Sequence, residues 1–338
     1  MSARLRPLAA QCIVVTGASS GIGLVTARMA ARRGARVVLS SRNAAALEEA
    51  AAAIRGDGGE AACLAADTGR RDEIERLADF AVDRYGGVDT WVNNAGVGLY
   101  GRITETPLED MRQLFETNFW GVVHGSLAAV RVMSERGGAL INVGSVLSDR
   151  AIPLQGAYAA SKHAVKGFTD ALRMELAKDG IPMAVTLVKP TGIDSMFPLH
   201  ARSHLGTRPQ LPPPVYAPDV AAEAILHAAE NPMRDVLVGA PAKLFSAAGY
   251  YSPGVTDKLM QLTMFGTQRS QRHDDADATD NLYAPAADLA ERSGTPALVL
   301  ESSLYTAASR HPLASAAGLA VLAFAAAALL RRTHAAPA

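Results

Sequence analysis

Cys12-Ile13-Val14-Val15-Thr16-Gly17-Ala18-Ser19-Ser20-Gly21-Ile22-Gly23 is the stretch on which the reading of this chain turns. An apolar run of strand character, Cys12 to Val15, breaks at a glycine-rich turn. Ile22, Val25, Met29 and Ala30 then recur at helical spacing as far as Gly34. Strand, turn and helix in that order bring backbone N–H groups and a helix N-terminus to one point, where a pyrophosphate can sit. Gly17 would allow the tight turn, Gly21 the close approach of phosphate, and Gly23 the packing of helix on strand. The spacing is G-x-x-x-G-x-G, not the strict G-x-G-x-x-G. A glycine turn alone is only a turn; its place between a buried-type strand and a helix favours a cofactor.

Working outward, the next strand, Arg36 to Ser40, bears on which cofactor. An NAD site is expected to carry Asp or Glu near this strand's end, to bond the ribose 2′-hydroxyl. Here Ser40, Ser41, Arg42 and Asn43 stand there, with no carboxylate. Arg42 can offer a guanidinium to a 2′-phosphate and Ser41 a hydroxyl, so NADP(H) is expected. A third strand, Ala61 to Ala66, ends in Asp67, which suits an adenine contact or a cap for the following helix. A fourth, Val88 to Val92, runs into Asn93-Asn94-Ala95-Gly96, small enough for a flat ring to lie on the backbone. Thr106-Pro107-Leu108-Glu109 has the pattern of a capping box and opens an apolar helix that contains Asn118, a structural or a functional amide.

The fifth strand, Leu140 to Val143, delivers Ser145 just past its carboxyl end, where open α/β sheets place ligands. Tyr158 follows thirteen residues later, with Lys162 one helical turn beyond on the same face. A free phenol has a pKa of about 10, and an ammonium beside it favours the phenolate. Such a pair can hand a proton to a carbonyl oxygen or take one from an alcohol. A sixth strand, Met183 to Val188, leads into Lys189-Pro190-Thr191-Gly192, and a helix near 218–230 and a strand near 235–239 close the sheet.

These residues carry a resemblance. Thr16–Gly23, Asn93–Gly96, Asn118, Ser145, Tyr158 with Lys162, and Pro190–Ser195 occur in the order and spacing of the short-chain dehydrogenase/reductase superfamily, over about residues 8 to 240. The resemblance implies an α/β fold with a doubly wound, seven-stranded parallel sheet, and NADPH-linked reduction of a carbonyl or oxidation of an alcohol. By position, Tyr158 resembles the acid/base and Lys162 the residue that binds nicotinamide ribose and lowers the tyrosine's pKa. Ser145 would hold the substrate oxygen, and Asn118 would keep a water linking Lys162 to solvent. Gly17, Ser19, Ser20, Gly21, Ile22, Gly23, Asp67, Asn94, Ala95, Gly96, Pro190 and Ile193 would line the cofactor site, with Ser41 and Arg42 matching the NADP-preferring branch. Ser195 stands where the family has a threonine that reaches the cofactor. Pro190-Thr191-Gly192 departs from the usual Pro-Gly, which bears on the geometry of that loop. Homo-oligomers are common in such proteins.

The whole chain has 338 residues, with Lys+Arg (33) balancing Asp+Glu (33), so no charge excess points to nucleic acid. Cys12 and Cys63 read as reduced core residues, no His/Cys cluster has metal-ligand spacing, and no signal peptide is evident. Trp91 and Trp120 read as core. Residues 1–240 are expected to form the catalytic domain, with residues 193–216 as a substrate lid. Residues 241–312 read as a helical extension, either packed on protein or capping the substrate mouth at a membrane, running from 267 to 300 into a polar surface linker. Leu313 to Leu330 are eighteen uncharged residues, nine of them alanine. At ~27 Å of helix that is the lower limit of a span, so the reading is a membrane-anchoring helix with the catalytic domain on the cytoplasmic face. A lipophilic ketone as substrate rests on that tail alone. The rival from another class is a non-catalytic NADP(H) sensor or scaffold.

Overall fold

In the computed structural model, residues 4–273, 280–286, 289–295 and 298–310 are described. Seven strands build the main sheet: β1 Cys12–Thr16, β2 Arg36–Ser41, β3 Glu60–Ala65, β4 Thr90–Asn93, β5 Gly138–Val143, β6 Met183–Pro190 and β7 Asp235–Val238. All pairs are parallel, in the order β7-β6-β5-β4-β1-β2-β3. The expected seven-stranded sheet is therefore present, with strand ends shifted by a residue or two. The chain runs outward from β1 in one direction and returns at β4 to run in the other. The crevice of a doubly wound sheet opens at that reversal, at the carboxyl ends of the strands.

Alternation along β1 shows why the sheet is covered on both faces. Ile13 and Val15 point into one core, Cys12 and Val14 into the other. The first core is closed by α1 (Gly21–Arg32), α2 (Ala44–Gly56) and a helix at Pro218–Glu230. The second is closed by α3 (Arg71–Tyr85) and by helices at Gly121–Met133 and Gly156–Lys178. In chain order, α4 is Leu108–Phe115, α5 Gly121–Met133, α6 Gly156–Lys178 and α7 Pro218–Glu230. Alanines dominate the buried faces of α2 and α7, and glycines and alanines together that of α1, so small side chains face the strands there.

Several local expectations are corrected. The Thr106 hydroxyl donates to the Arg102 carbonyl, and α4 starts after Pro107 without a side-chain cap, so the capping box does not form. Asp67 does not cap α3, which starts four residues later; its carboxylate accepts the Gly69 N–H. Trp91 is core and donates to Asn93 Oδ1, whereas Trp120 is exposed and stacks on His124. Cys12 is buried and Cys63 only half so, both free.

The extension forms α8 (Pro241–Tyr251) and α9 (Pro253–Thr267), packed on the catalytic domain. Arg269–His273 then pairs antiparallel with Thr207–Pro209 of the lid. The described parts of the stretch read as a surface linker instead lie along the crevice, because main-chain groups of Asn281, Ala286, Leu289 and Ala290 find partners there. The apolar run 313–330 lies outside the described residues. Among those described, no helix is long and apolar enough to cross a membrane.

Candidate active site

Helices α4 and α5 run into each other through a π-helical turn, Glu116–Trp120. Such a turn shifts the register of the side chains, here bringing Asn118 fully into the interior. A buried amide must find partners. Asn118 Oδ1 accepts the Val97 N–H at 2.8 Å, and Nδ2 donates to the Val97 carbonyl at 3.0 Å and to Ser161 Oγ at 3.4 Å. Its side chain thus clamps the loop after β4 beside Lys162. A methyl placed on Gly96 would lie 3.4 Å from Asn118 Oδ1 and 3.9 Å from Lys162 Nζ.

Ser145 leaves β5 in extended conformation and caps a short 3-10 turn, Val146–Ser148. Its Oγ accepts the Leu147 N–H at 3.1 Å, while Ser148 Oγ accepts the Ser145 N–H at 3.2 Å. A hydroxyl that accepts a bond keeps its proton to donate. Tyr158 lies in the first turns of α6, 8% exposed, with its ring 5.3 Å from that of Phe197 in the lid. Lys162, one turn on, donates from Nζ to the Val143 carbonyl at 2.9 Å and lies 5.8 Å from the centre of the Tyr158 ring. His163, next to it, turns back to the Ala159 carbonyl.

The electrostatics differ from the expectation of a depressed phenol. Burial pushes the Tyr158 phenol up to about 12, with the hydrogen bond from Ser145 acting in the opposite sense. Burial alone brings Lys162 down to about 8. The cause is the same for both: an apolar pocket disfavours either charge. The ammonium, moreover, is bonded to a carbonyl rather than to the phenol oxygen.

The glycine turn is built for close approach. Gly17 and Gly21 have φ of +65° and +50°, and a Cβ on Gly17 would lie 2.8 Å from the Ala95 Cα. Gly23 is excluded from side chains by space: its Cβ would lie 2.1 Å from the Gly17 carbonyl oxygen. Asn94 Nδ2 donates to the Thr16 and Gly17 carbonyls, and Thr16 Oγ1 accepts the N–H groups of Asn94 and Ala95. The ends of β1 and β4 are thereby locked together at the topological reversal. Ser20 precedes α1 but makes no capping bond with its side chain.

One cavity of about 390 Å³ joins these groups. Of the residues expected at the cofactor, Gly17, Ser19, Ser20, Gly21, Ile22, Ser41, Arg42, Asp67, Asn94, Ala95, Gly96, Pro190, Ile193 and Ser195 all line it. Gly23 stays behind the turn. Ser145, Tyr158 and Lys162 line its other end; Asn118 does not line it. Arg42 donates through Nη2 to the Asn281 carbonyl, while Nη1 is buried with no partner among the described residues. Thr191, the departure from Pro-Gly, is tied through N–H and Oγ1 to the Val238 carbonyl, and Gly192 pairs with Val215. The extra residue is absorbed against β7 and the lid.

Side chains of the segment read as a lid and of the helical extension, none of them singled out as a site residue, also line the cavity. Phe197, Leu211 and Pro212–Pro214 come from the lid, and Phe245 and Met264 from α8 and α9. Their apolar character in a long connection and in amphipathic helices was the available signal. Asn281, Pro285 and Ala286 come from the polar stretch and had none. No group of three or more His, Cys, Asp or Glu that could hold a metal ion occurs among the described residues.

The chain matches the short chain dehydrogenase family over residues 11–204. It is 42% identical over 322 residues to the uncharacterized oxidoreductase YxnA of Bacillus subtilis (strain 168), covering 94% of this chain and 90% of that one. That coverage carries the likeness beyond the family match and into the extension. An alcohol dehydrogenase from the archaeon Thermococcus sibiricus, solved with 5-hydroxy-NADP, aligns with a TM-score of 0.60 at 26% identity over 68% of this chain and 95% of that one. A variant of actinorhodin polyketide ketoreductase, solved with NADPH, aligns at 0.53 and 34% identity over 58% of this chain and 74% of that one. With this sheet, this cavity and these relatives, the chain belongs to the short-chain dehydrogenase family and is an NAD(P)-dependent oxidoreductase.

Proposed function

We propose that the protein is an NADPH-dependent carbonyl reductase, or in reverse an alcohol dehydrogenase, for an apolar ketone or secondary alcohol. The observation that carries this reading is the single cavity with two chemically distinct ends. At one, Ser145, Tyr158 and Lys162 meet an apolar wall of Phe197, Phe245 and Met264. At the other, Arg42 holds a guanidinium nitrogen without a partner among the described residues. Ser145 would orient the carbonyl oxygen by donating to it, and Tyr158 would supply the proton that oxygen gains on reduction. Lys162, with the glycine turn and Asn94, would hold the dinucleotide, which supplies or accepts the hydride when bound. Positioning in a water-poor cavity would provide much of the acceleration.

The test is NADPH consumption across a panel of aliphatic, aromatic and polycyclic ketones. Turnover that improves with apolar bulk is expected; none with any ketone, at an NADPH concentration that saturates binding, would refute the reading. Arg42→Asp checks the cofactor. Loss of a charge-assisted bond, with repulsion in its place, should weaken NADPH by about 30- to 100-fold and leave NADH little changed, as measured by titration calorimetry. Unaltered NADPH affinity would remove Arg42 from the role.

A further inference from the structure

Segments 280–286 and 289–291 lie across the mouth of the cofactor crevice and are fastened on both walls. On the side of the glycine turn, Leu289 N–H donates to the Ser19 carbonyl and the Gly21 N–H donates to the Ala290 carbonyl, each at 3.0 Å. Glu291 pairs with Arg28 of α1 at 2.6 Å. Over the β2 end, Asn43 Nδ2 donates to the Ala286 carbonyl and Arg42 to that of Asn281. On the side of the lid, the Asn281 N–H donates to the His200 carbonyl at 2.9 Å, and Asp280 pairs with Arg202 at 2.8 Å. The Tyr283 hydroxyl donates to Asp110 at 2.9 Å, a carboxylate that also takes Arg202 and His204. Leu282 is fully buried in the apolar cluster that contains Tyr158.

This strap covers the cavity without filling it: Asn281, Pro285 and Ala286 are part of its wall. Two buried polar atoms at this end lack partners among the described residues, Arg42 Nη1 and Asn281 Oδ1. Buried polar groups are normally paired, so an orphan donor and an orphan acceptor on one cavity mark a place for a polar ligand group. An amide can present either its oxygen or its nitrogen. A ribose hydroxyl would meet the first, and a phosphate oxygen the second.

We propose that this strap is part of the cofactor site. Asn281 reads the substituent on the adenosine 2′ position together with Arg42, and the strap must lift for the dinucleotide to enter or leave. The inference rests on the reading of the cavity as the dinucleotide site. Buried Leu282 and the Tyr283 bond to buried Asp110 hold the strap shut, whereas the fastenings on either side of them suit a part that moves. The ion pairs with Arg28 and Arg202 are partly exposed, where each contributes little, and they are supplemented by single main-chain bonds. The Gly21 N–H, one of the first donors of α1, is covered by the Ala290 carbonyl in the closed strap, so turn and strap are coupled directly.

Two variants of the full chain test this, with NADPH and NADH as probes. Asn281→Asp sets an anion beside the 2′ position and should weaken NADPH by about tenfold or more, with NADH changed by less than about twofold. Arg28→Ala with Tyr283→Phe releases two fastenings; stopped-flow fluorescence should show NADPH association and release both faster, by roughly fivefold, with little change in their ratio. A wild-type protein that binds neither cofactor overturns the dinucleotide reading and the strap with it. A wild-type protein that binds, with Asn281→Asp affecting both cofactors alike or neither, or with rates unchanged on unfastening, overturns the strap alone.

Discussion

Tyr158→Phe should lower ketone turnover by roughly a thousandfold while NADPH binding stays within about twofold, since a positioned proton donor contributes about 10²- to 10⁴-fold. The change removes one oxygen from a side chain that is 8% exposed and packed against Phe197. The ring and its contacts remain, so no cavity opens and the melting temperature should hold. The buried phenol keeps its proton through the neutral range, because burial pushes it up to about 12. A group that must donate is therefore in its donating form at neutral pH, and ketone reduction should be flat there. Alcohol oxidation needs the same group without its proton, so its rate should climb with pH across the neutral and mildly alkaline range. Rates measured in both directions, for wild type and variant, check this. Unchanged turnover in Tyr158→Phe, or reduction that climbs with pH as steeply as oxidation, would remove the phenol as acid/base.

That expectation differs from the one drawn from Tyr158 and Lys162 as a sequence pair. Spacing by four on a helix predicts a shared face, and the two do share it. Spacing carries no information about what the ammonium meets at its far end, which is the Val143 carbonyl at the end of β5. Nor does it report how completely the lid closes over the ring. Periodicity and glycine punctuation reveal the seven strands, because strands buried on both faces read as continuous apolar runs. The crevice follows from the strand reversal. The strap does not, because its bonds to the crevice are mostly main-chain carbonyls and N–H groups, which any polar sequence supplies. Trp120 escapes the sequence for a related reason: an aromatic beside buried Asn118 looks like core until the π-helical turn rotates it out to solvent.

The same geometry makes Gly23→Ala the most damaging small change in the cradle. A Cβ there would lie 2.1 Å from the Gly17 carbonyl oxygen and 2.6 Å from Asn94 Nδ2. Neither neighbour can swing away cheaply. The carbonyl is backbone, fixed by a turn with φ of +65°, and also accepts from Asn94, whose amide ties β1 to β4. Helix α1 must therefore back off the strand, at a cost of about 3 kcal/mol, or roughly 6–12 °C in melting temperature for a domain of this size. As α1 retreats, its first N–H groups leave the position that faces the pyrophosphate, and NADPH affinity should fall by about 100-fold. Gly167→Ala supplies the contrast. That glycine lies on the exposed face of α6, where a methyl would meet nothing within 4 Å, so the same change should stabilise by about 0.5–1 kcal/mol. Calorimetric melting and NADPH titration of the two variants side by side separate the effect of space from that of helix propensity. Equal melting temperatures and intact NADPH affinity in Gly23→Ala would mean that the turn does not grip the strand as described, and the phosphate cradle would lose its physical basis.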